Sequence, residues 1–339
     1  MSRIKDPDLY LPMDDWGWIP NTITIPTNGE IPIHAMTWND DLLLRNPDGL
    51  MNGSAMATII ARRVPSIKAP WLIPEHQYSR IVSALHVATH GNTIDMSYTC
   101  PHCKAHNDVI LGTDALLSQN RSISKTFTVN QLEFTVSPLS YQDLIALRNY
   151  DYRLLKMLSA ISIDRKIGYD PKIIQSEMLS HEDSVLKLKH KRVKQIKVSD
   201  QVVTDQNLIT EFLFNAERDI QTEIYENLNN INDALRPQAQ TVKCQECQKE
   251  NTITPTLDAS EDFRNRLLNI ADSEIQDYFE TLDKQSKVIR QEAAKMGWFM
   301  RGGATYLDIL EMSPNERAAI VSTINDNLET SKKSKQLII

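Results

Sequence analysis

Two short stretches constrain what this chain can fold into more than anything else in it. "CPHCKAHN" begins at Cys100 and "CQECQKEN" at Cys244, so residues 104 to 243, 140 in all, separate the two cysteine pairs. Both read C-x-x-C-x-x-x-N, and between them they hold all 4 cysteines of the 339-residue chain. A lone CxxC pair is a redox dithiol, a local disulfide, or half of a metal site. The redox reading needs a thioredoxin-like βαβ context, which neither stretch has. A disulfide inside CxxC closes a loop too short to constrain the chain much. Taken together, the pairs supply four thiolates, the ligand set of a tetrahedral structural zinc. Cys100, Cys103, Cys244 and Cys247 are therefore expected to converge on one Zn2+, with the residues between them forming an inserted subdomain. Unrelated buried or disulfide-bonded cysteines are the competing reading. His102 and His106 lie beside the first pair and are alternative ligands or exposed knuckle residues. Lys104, Lys243 and Lys249 flank the knuckles, either offsetting the charge of a tetrathiolate centre or as ordinary surface lysines.

The formal net charge is −7, which argues against broad nucleic-acid binding, since that needs a basic footprint. The one basic run, "KLKHKRVKQIK" from Lys187 to Lys197, is expected to be a solvated arm between helices; contact with an acidic partner or nucleic acid is the other reading. No run approaches the ~20 apolar residues of a membrane span. The start, "MSRIKDPDLYLPMDD", has no apolar signal core, so a reducing cytoplasm is expected, where thiolates favour metal over disulfides. There are only 10 glycines, about half the usual share. Phosphate-loop, dinucleotide, nucleophile-elbow and zincin motifs do not occur. No catalytic constellation is visible, so the chain is expected not to be an enzyme.

Four segments follow from patterning. Residues 1–33 carry Pro7, Pro12, Pro20, Pro26 and Pro32 and are expected to form an extended arm. Trp16 and Trp18 in "DDWGWIP" are an expensive surface to leave wet. They dock either on the chain's own core or on another subunit, and the shortage of regular structure favours another subunit. Residues 34–136 read as a helical unit followed by the first zinc knuckle, framed by strands near Ile94–Tyr98 and Val109–Leu111, and a hairpin in "TFTVNQLEFTV". Residues 137–240 read as a helical insert. In it, Ser140 and Asp143 cap one long helix, and a second runs through "TDQNLITEFLFNAERDIQTEIYENLNNINDAL" with Leu208, Phe212, Ile220, Ile224, Leu228, Ile231 and Leu235 as its stripe. Residues 241–339 carry the second knuckle and C-terminal helices. The last helix starts at a Ser313–Pro314–Glu316 cap, with Ile320, Val321, Ile324 and Leu328 on its apolar face, and an apolar "QLII" tail follows. The fold class is thus α+β, mainly helical, with the two knuckles joined into one small split zinc-ribbon sheet.

Several stretches then form an ordered series: "MTWNDDLLLRNPDGLMNG", the first knuckle, "VVTDQNLITEFLFNA", the second knuckle with "TLDASEDF", and "RGGATYLDILEMSPNER" through "NLETSKKSK". From about residue 30 to 335 the chain resembles the T4-type tailed-phage baseplate protein family, whose members are described as baseplate hub subunits or hub assembly factors. The resemblance implies a structural or assembly role in a contractile-tail baseplate. It also implies protein partners from that assembly, a virion location after assembly in the host cytoplasm, and no enzymatic activity. A zinc-ribbon regulatory module that binds nucleic acid or a transcription partner is the alternative.

Overall fold

In the computed structural model, which describes residues 6–117, 124–163, 171–199, 201–235, 239–255, 257–301 and 303–334, the proline-rich start of the chain is built into the main core. β1 (Leu9–Pro12) pairs antiparallel with β2 (Glu30–Ile33), from Leu9 opposite Ile33 to Pro12 opposite Glu30. Leu11, Ile31 and Ile33 are buried in the largest apolar cluster. Next come α1 (Trp38–Leu43), α2 (Pro47–Asn52), α3 (Ser54–Arg63) and α4 (Glu75–His90). Asn46 caps α2 with Pro47 at its first position, and Gly53 ends it with φ +80. A Cβ at Gly53 would lie 2.8 Å from both Ile145 Cγ1 and Tyr141 Oη, so glycine is needed there for both backbone and space. Tyr141 stacks between Trp71 (5.4 Å) and Tyr78 (4.2 Å), which joins this unit to the helix that carries Tyr141.

Both arm tryptophans meet the chain's own surface and stay half-buried. Trp18 packs against the main core, and Trp16 leans on the His76 ring with centroids 5.1 Å apart. The first turns of α4 supply a matching row of polar groups. Gln77 Nε2 donates to Asp14 Oδ2 (2.6 Å) and Arg80 Nη2 to the Pro12 carbonyl (2.7 Å). Two indoles beside so complementary a helix find part of their cover within the chain. Composition reported the need to bury them but not what would do so.

The first knuckle is a hairpin of β3 (Thr93–Thr99) and β4 (His106–Gly112), followed by a turn of helix, α5 (Asp114–Leu117). The segment expected to be helical then contains a sheet. β5 (Thr126–Val129) and β6 (Leu132–Val136) form the anticipated hairpin, turning through Asn130 and Gln131, both at positive φ, the conformation of a type I′ turn. α6 (Tyr141–Ile163) and α7 (Pro171–His190) leave and return, and β7 (Val193–Val198) and β8 (Gln201–Val203) extend the sheet in the order β5-β6-β7-β8. The Ser140–Asp143 cap of α6 is present: Asp143 N donates to Ser140 Oγ (3.2 Å), and Ser140 Oγ donates to Asp143 Oδ2 (2.7 Å).

The basic run is therefore not an arm but the end of α7 and the strand β7. Val193 and Ile196 enter the core. Arg192 is buried, forks onto both oxygens of Glu75 on α4, and reaches Asn232. The single long helix expected after it is two, α8 (Gln206–Asn215) and α9 (Arg218–Leu235). Ala216 turns extended (φ −63, ψ 152), and Gln221 Nε2 satisfies the freed carbonyls of Leu213 and Phe214 (both 2.9 Å). The break changes the phase of the stripe: Ile209 and Leu213 are buried and Leu208 is exposed. No glycine or proline announced it.

The second knuckle, β9 (Gln240–Lys243) and β10 (Glu250–Ile253), leads to α10 (Ala259–Asn269), α11 (Ile275–Phe299), α12 (Tyr306–Leu310) and α13 (Pro314–Ser334). α11 turns one stripe inward. Ile275, Phe279 and Leu282 pack with Leu50, Phe263 and Leu267, while Ile289, Ala293 and Met296 pack with Trp38, Ile309 and Leu310. Glu311, just past α12, sits between Arg62 and Arg63, which also bind the fully buried Asp40. Ser313 and Glu316 cap α13 as expected: Ser313 N donates to Glu316 Oε2 (2.7 Å). Only part of its apolar face finds cover, because Ile320 packs inward but Val321 and Leu328 are exposed. The "QLII" tail lies outside the described residues.

Two measurements probe these arrangements. Gly17 has φ +80, and a Cβ there would lie 2.4 Å from Pro138 Cγ. Gly17→Ala should cost about 1–3 kcal/mol and lower the melting temperature of the isolated chain by several degrees. An unchanged melt would show that the arm is not part of the core. His190 is fully buried against Phe214, with Nε2 2.7 Å from Tyr225 Oη and no partner for Nδ1. Burial pulls its pKa down from 6.5 to about 4. The unfolded chain takes up this proton near 6.5 and the folded chain only near 4. The stability held by the neutral ring is therefore present above 6.5 and lost as the pH falls through that window, by at most about 3 kcal/mol. His190→Gln should flatten the melting temperature between pH 6.5 and 4; an unchanged slope would assign the acid sensitivity to other groups.

Candidate metal centre

The two knuckles are copies of one backbone device. In the first, Lys104 N donates to the Cys100 carbonyl (2.9 Å) and Cys100 N to the Ala105 carbonyl (2.9 Å). In the second, Gln248 N donates to Cys244 O (3.0 Å) and Cys244 N to Lys249 O (3.0 Å). Lys104 (φ 61) and Gln248 (φ 58) both turn left-handed directly after the second cysteine. Every member of one set lies 144 positions from its counterpart, as in 244 − 100 and 248 − 104. A tight turn of this kind exposes N–H groups toward the sulfurs and places both cysteines of a pair on one side of the hairpin tip.

The four thiols come together. Cys100 Sγ lies 3.7 Å from Cys247 Sγ, and Cys103 Sγ lies 3.6 Å from Cys244 Sγ. All four sulfurs fall within 4.8 Å of one another. The first cysteine of each knuckle thus faces the second of the other, an approximate two-fold relation. A disulfide would need about 2.05 Å. A tetrahedron of ~2.3 Å metal–sulfur bonds has edges of about 3.8 Å, close to the distances across the pairs. Cys100 and Cys244 are buried, while Cys103 is exposed.

The sulfurs cannot all ionise unaided. The Cys103 N–H, followed by the His102 N–H and neighbouring sulfurs, draws the Cys100 thiol down to about 6. The Cys247 N–H likewise lowers Cys244. Cys103 receives the Ala105 N–H, yet loss of solvation on the side facing the other thiols and the crowding sulfurs of Cys244, Cys247 and Cys100 push it up to about 12. Successive negative charges within 4 Å oppose each other, and a bound cation removes that opposition. The residues present fit a metal ion.

Some expectations change. The hairpins do not share one sheet: β3-β4 and β9-β10 are separate two-stranded sheets. Side chains connect them instead. Gln245 N donates to Asn107 Oδ1 (2.7 Å), Gln245 Nε2 to Asp108 O (3.1 Å), and Gln240 Nε2 to Gly112 O (3.1 Å). The converging group contains the four cysteines and neither histidine. His102 is exposed, and His106 faces Asp108 at 3.6 Å on the surface. Lys243 lies 3.9 Å from Glu250. Sequence reading gave no role to Asn107 and Asn251, although both belong to the repeated pattern and both are buried.

A family model described as T4 bacteriophage base plate protein matches residues 20–263. The chain belongs to this family. The match takes in both knuckles and everything between them, and it ends within α10. It does not reach α11–α13, whose residues contributed to the resemblance drawn from the sequence. Neither the curated proteins nor the solved structures contain a match.

Cys244→Ser should lower the melting temperature and loosen both hairpins, because Cys244 is buried at the point where they meet. Faster amide exchange in Thr93–Thr99 as well as in Gln240–Lys243 is the expected signature. Loosening confined to the second hairpin would show that the two halves are not coupled.

Proposed function

We propose that this protein is a structural or assembly component of a contractile phage-tail baseplate, in its hub region, and that its two knuckles hold one structural Zn2+. Family membership over residues 20–263 carries the reading. The hub assignment follows the resemblance of the sequence to hub subunits and assembly factors. Zinc is favoured because four thiolates suit this ion and leave no open position for a substrate. When bound, it supplies a cross-link and no reaction step. Around it, Cys100, Cys103, Cys244 and Cys247 act as ligands, and the knuckle N–H groups stabilise their thiolate forms.

The role is a non-enzymatic one, exerted through contacts with other baseplate proteins in the virion tail. An exposed apolar surface supports this. Trp298 is 76% exposed, Leu307 69%, Phe299 41% and Tyr306 37%. They gather where α11 gives way to α12. Trp298 and Phe299 meet edge to face at 5.1 Å. Exposed aromatic groups of this size are typical interface anchors. The nucleic-acid alternative draws no support from the family match, and part of its basic run is engaged within the chain: Arg192 is buried on Glu75, Lys191 pairs with Asp143 and Lys187 with Asp183. Among the described residues, no helix is long and apolar enough to cross a membrane.

Metal analysis of the purified protein should return about one zinc per chain; a stable protein without metal would end the zinc assignment. The double variant Trp298→Ala, Leu307→Asp should keep its melting curve yet yield several-fold fewer complete baseplates. Normal assembly with that variant would remove this surface from the proposal.

A further inference from the structure

The third shared member of the repeated pattern, the asparagine, has a part of its own. Asn107 and Asn251 are each 144 positions apart from the other (251 − 107) and are 1% and 6% exposed. Each holds its own turn through the amide nitrogen. Asn107 Nδ2 donates to Ala105 O (2.9 Å), and Asn251 Nδ2 to Lys249 O (3.2 Å). Each also reaches the opposite hairpin. Asn107 Oδ1 accepts from Gln245 N (2.7 Å), inside the second CxxC. Asn251 lies 3.4 Å from Tyr98 Oη, and its Oδ1 is 3.8 Å from Cys100 Sγ. We infer that Asn107 and Asn251 are reciprocal positioning residues of the metal centre, each fixing the knuckle that the other belongs to. This rests on the tetrad being a metal site.

The physical case is one of need. The hairpins share no backbone ladder, and isolated two-stranded hairpins are marginal in water. Besides these braces, only the sulfurs and the exposed amide groups of Gln240 and Gln245 are seen to tie one hairpin to the other among the described residues. Groups that orient ligands from the next layer out contribute strongly to affinity; their removal weakens binding about 10–100-fold.

The two braces are unequal, and the sequence states why. The counterpart of Gln245 in the first knuckle is residue 245 − 144, Pro101. Proline has no N–H, so Asn251 Oδ1 lacks the backbone donor that Asn107 Oδ1 enjoys. Its neighbour is the Cys100 sulfur at 3.8 Å, a longer and weaker contact than the 2.7 Å bond that Asn107 receives. Asn107 is thus the stronger brace, and Pro101 is the residue that weakens the other.

The test uses the full chain loaded with zinc, and separately with Co2+, whose visible spectrum reports the geometry of the sulfur cage. Asn107→Ala should release zinc to a chelator about 10–100-fold faster and alter the Co2+ spectrum, with Asn251→Ala giving a smaller change. Pro101→Ala adds the missing N–H and should slow release below that of the unaltered chain. Ile94→Ala, which empties a buried position of the same hairpin away from the sulfurs, should lower stability but leave the Co2+ spectrum alone. An unchanged release rate and spectrum in Asn107→Ala, with metal bound normally, would overturn the brace while sparing the metal site. Failure of the unaltered chain to take up either ion would overturn both. Should Asn107→Ala not fold, Pro101→Ala decides: release no slower than in the unaltered chain counts against the brace.

Discussion

The convergence of four sulfurs from two hairpins 144 residues apart is the constraint on which the arrangement of the chain rests. Each hairpin has two strands and little core of its own. Where they meet, Gln240 bonds to Gly112, so the residues between the knuckles leave and re-enter at one place. A metal ion at the tetrad, as proposed, would let the thiols ionise together, and because no such site exists in the unfolded chain its binding free energy would add to folding.

The other long-range ties use charge paired within partly dry surroundings. Arg192 binds Glu75 where the β5–β8 sheet meets α4. Arg148 of α6 reaches Asp258 and Glu261 at the start of α10. Arg62 and Arg63 hold Asp40 and Glu311. Removing one partner from such a set strands a buried charge and costs more than the pair itself contributes. Two of the three sets lie beside shared apolar clusters, Trp38 and Leu42 with Ile309 and Leu310 and Tyr152 with Phe263 and Leu267, so the ion pairs fix the arrangement of segments that apolar packing also joins.

How much of this could be read from the sequence depended on how local the signal was. The CxxC pairs, the Ser140 and Ser313 caps and the β5–β6 hairpin were legible because spacing and capping chemistry act over a few residues. The strand β7 was hidden because its lysines look like a solvated face when the sheet beside it is unknown. The break at Ala216 was hidden because Gln221, five residues on, supplies the substitute hydrogen bonds that a glycine or proline would have advertised. Trp16 and Trp18 were recognised as groups needing cover, but His76, Gln77 and Arg80 lie some 60 residues away. Asn107 and Asn251 were visible as a repeated letter. Their use appears only when the second knuckle is placed against the first.

The separation of the knuckles along the chain is also a separation in time. At synthesis rates of about 5–20 residues per second, the first pair of cysteines leaves the ribosome roughly 7–30 s before the second. During that interval Cys100 and Cys103 are half of a coordination shell, and everything up to the second knuckle must find its place without the tether. By then the sheet and the α6–α7 pair are already outside the ribosome, whereas α10–α13 are still to come, so Arg148 waits for Asp258, and Arg62 and Arg63 for Glu311, until after the last ligand of the centre has emerged.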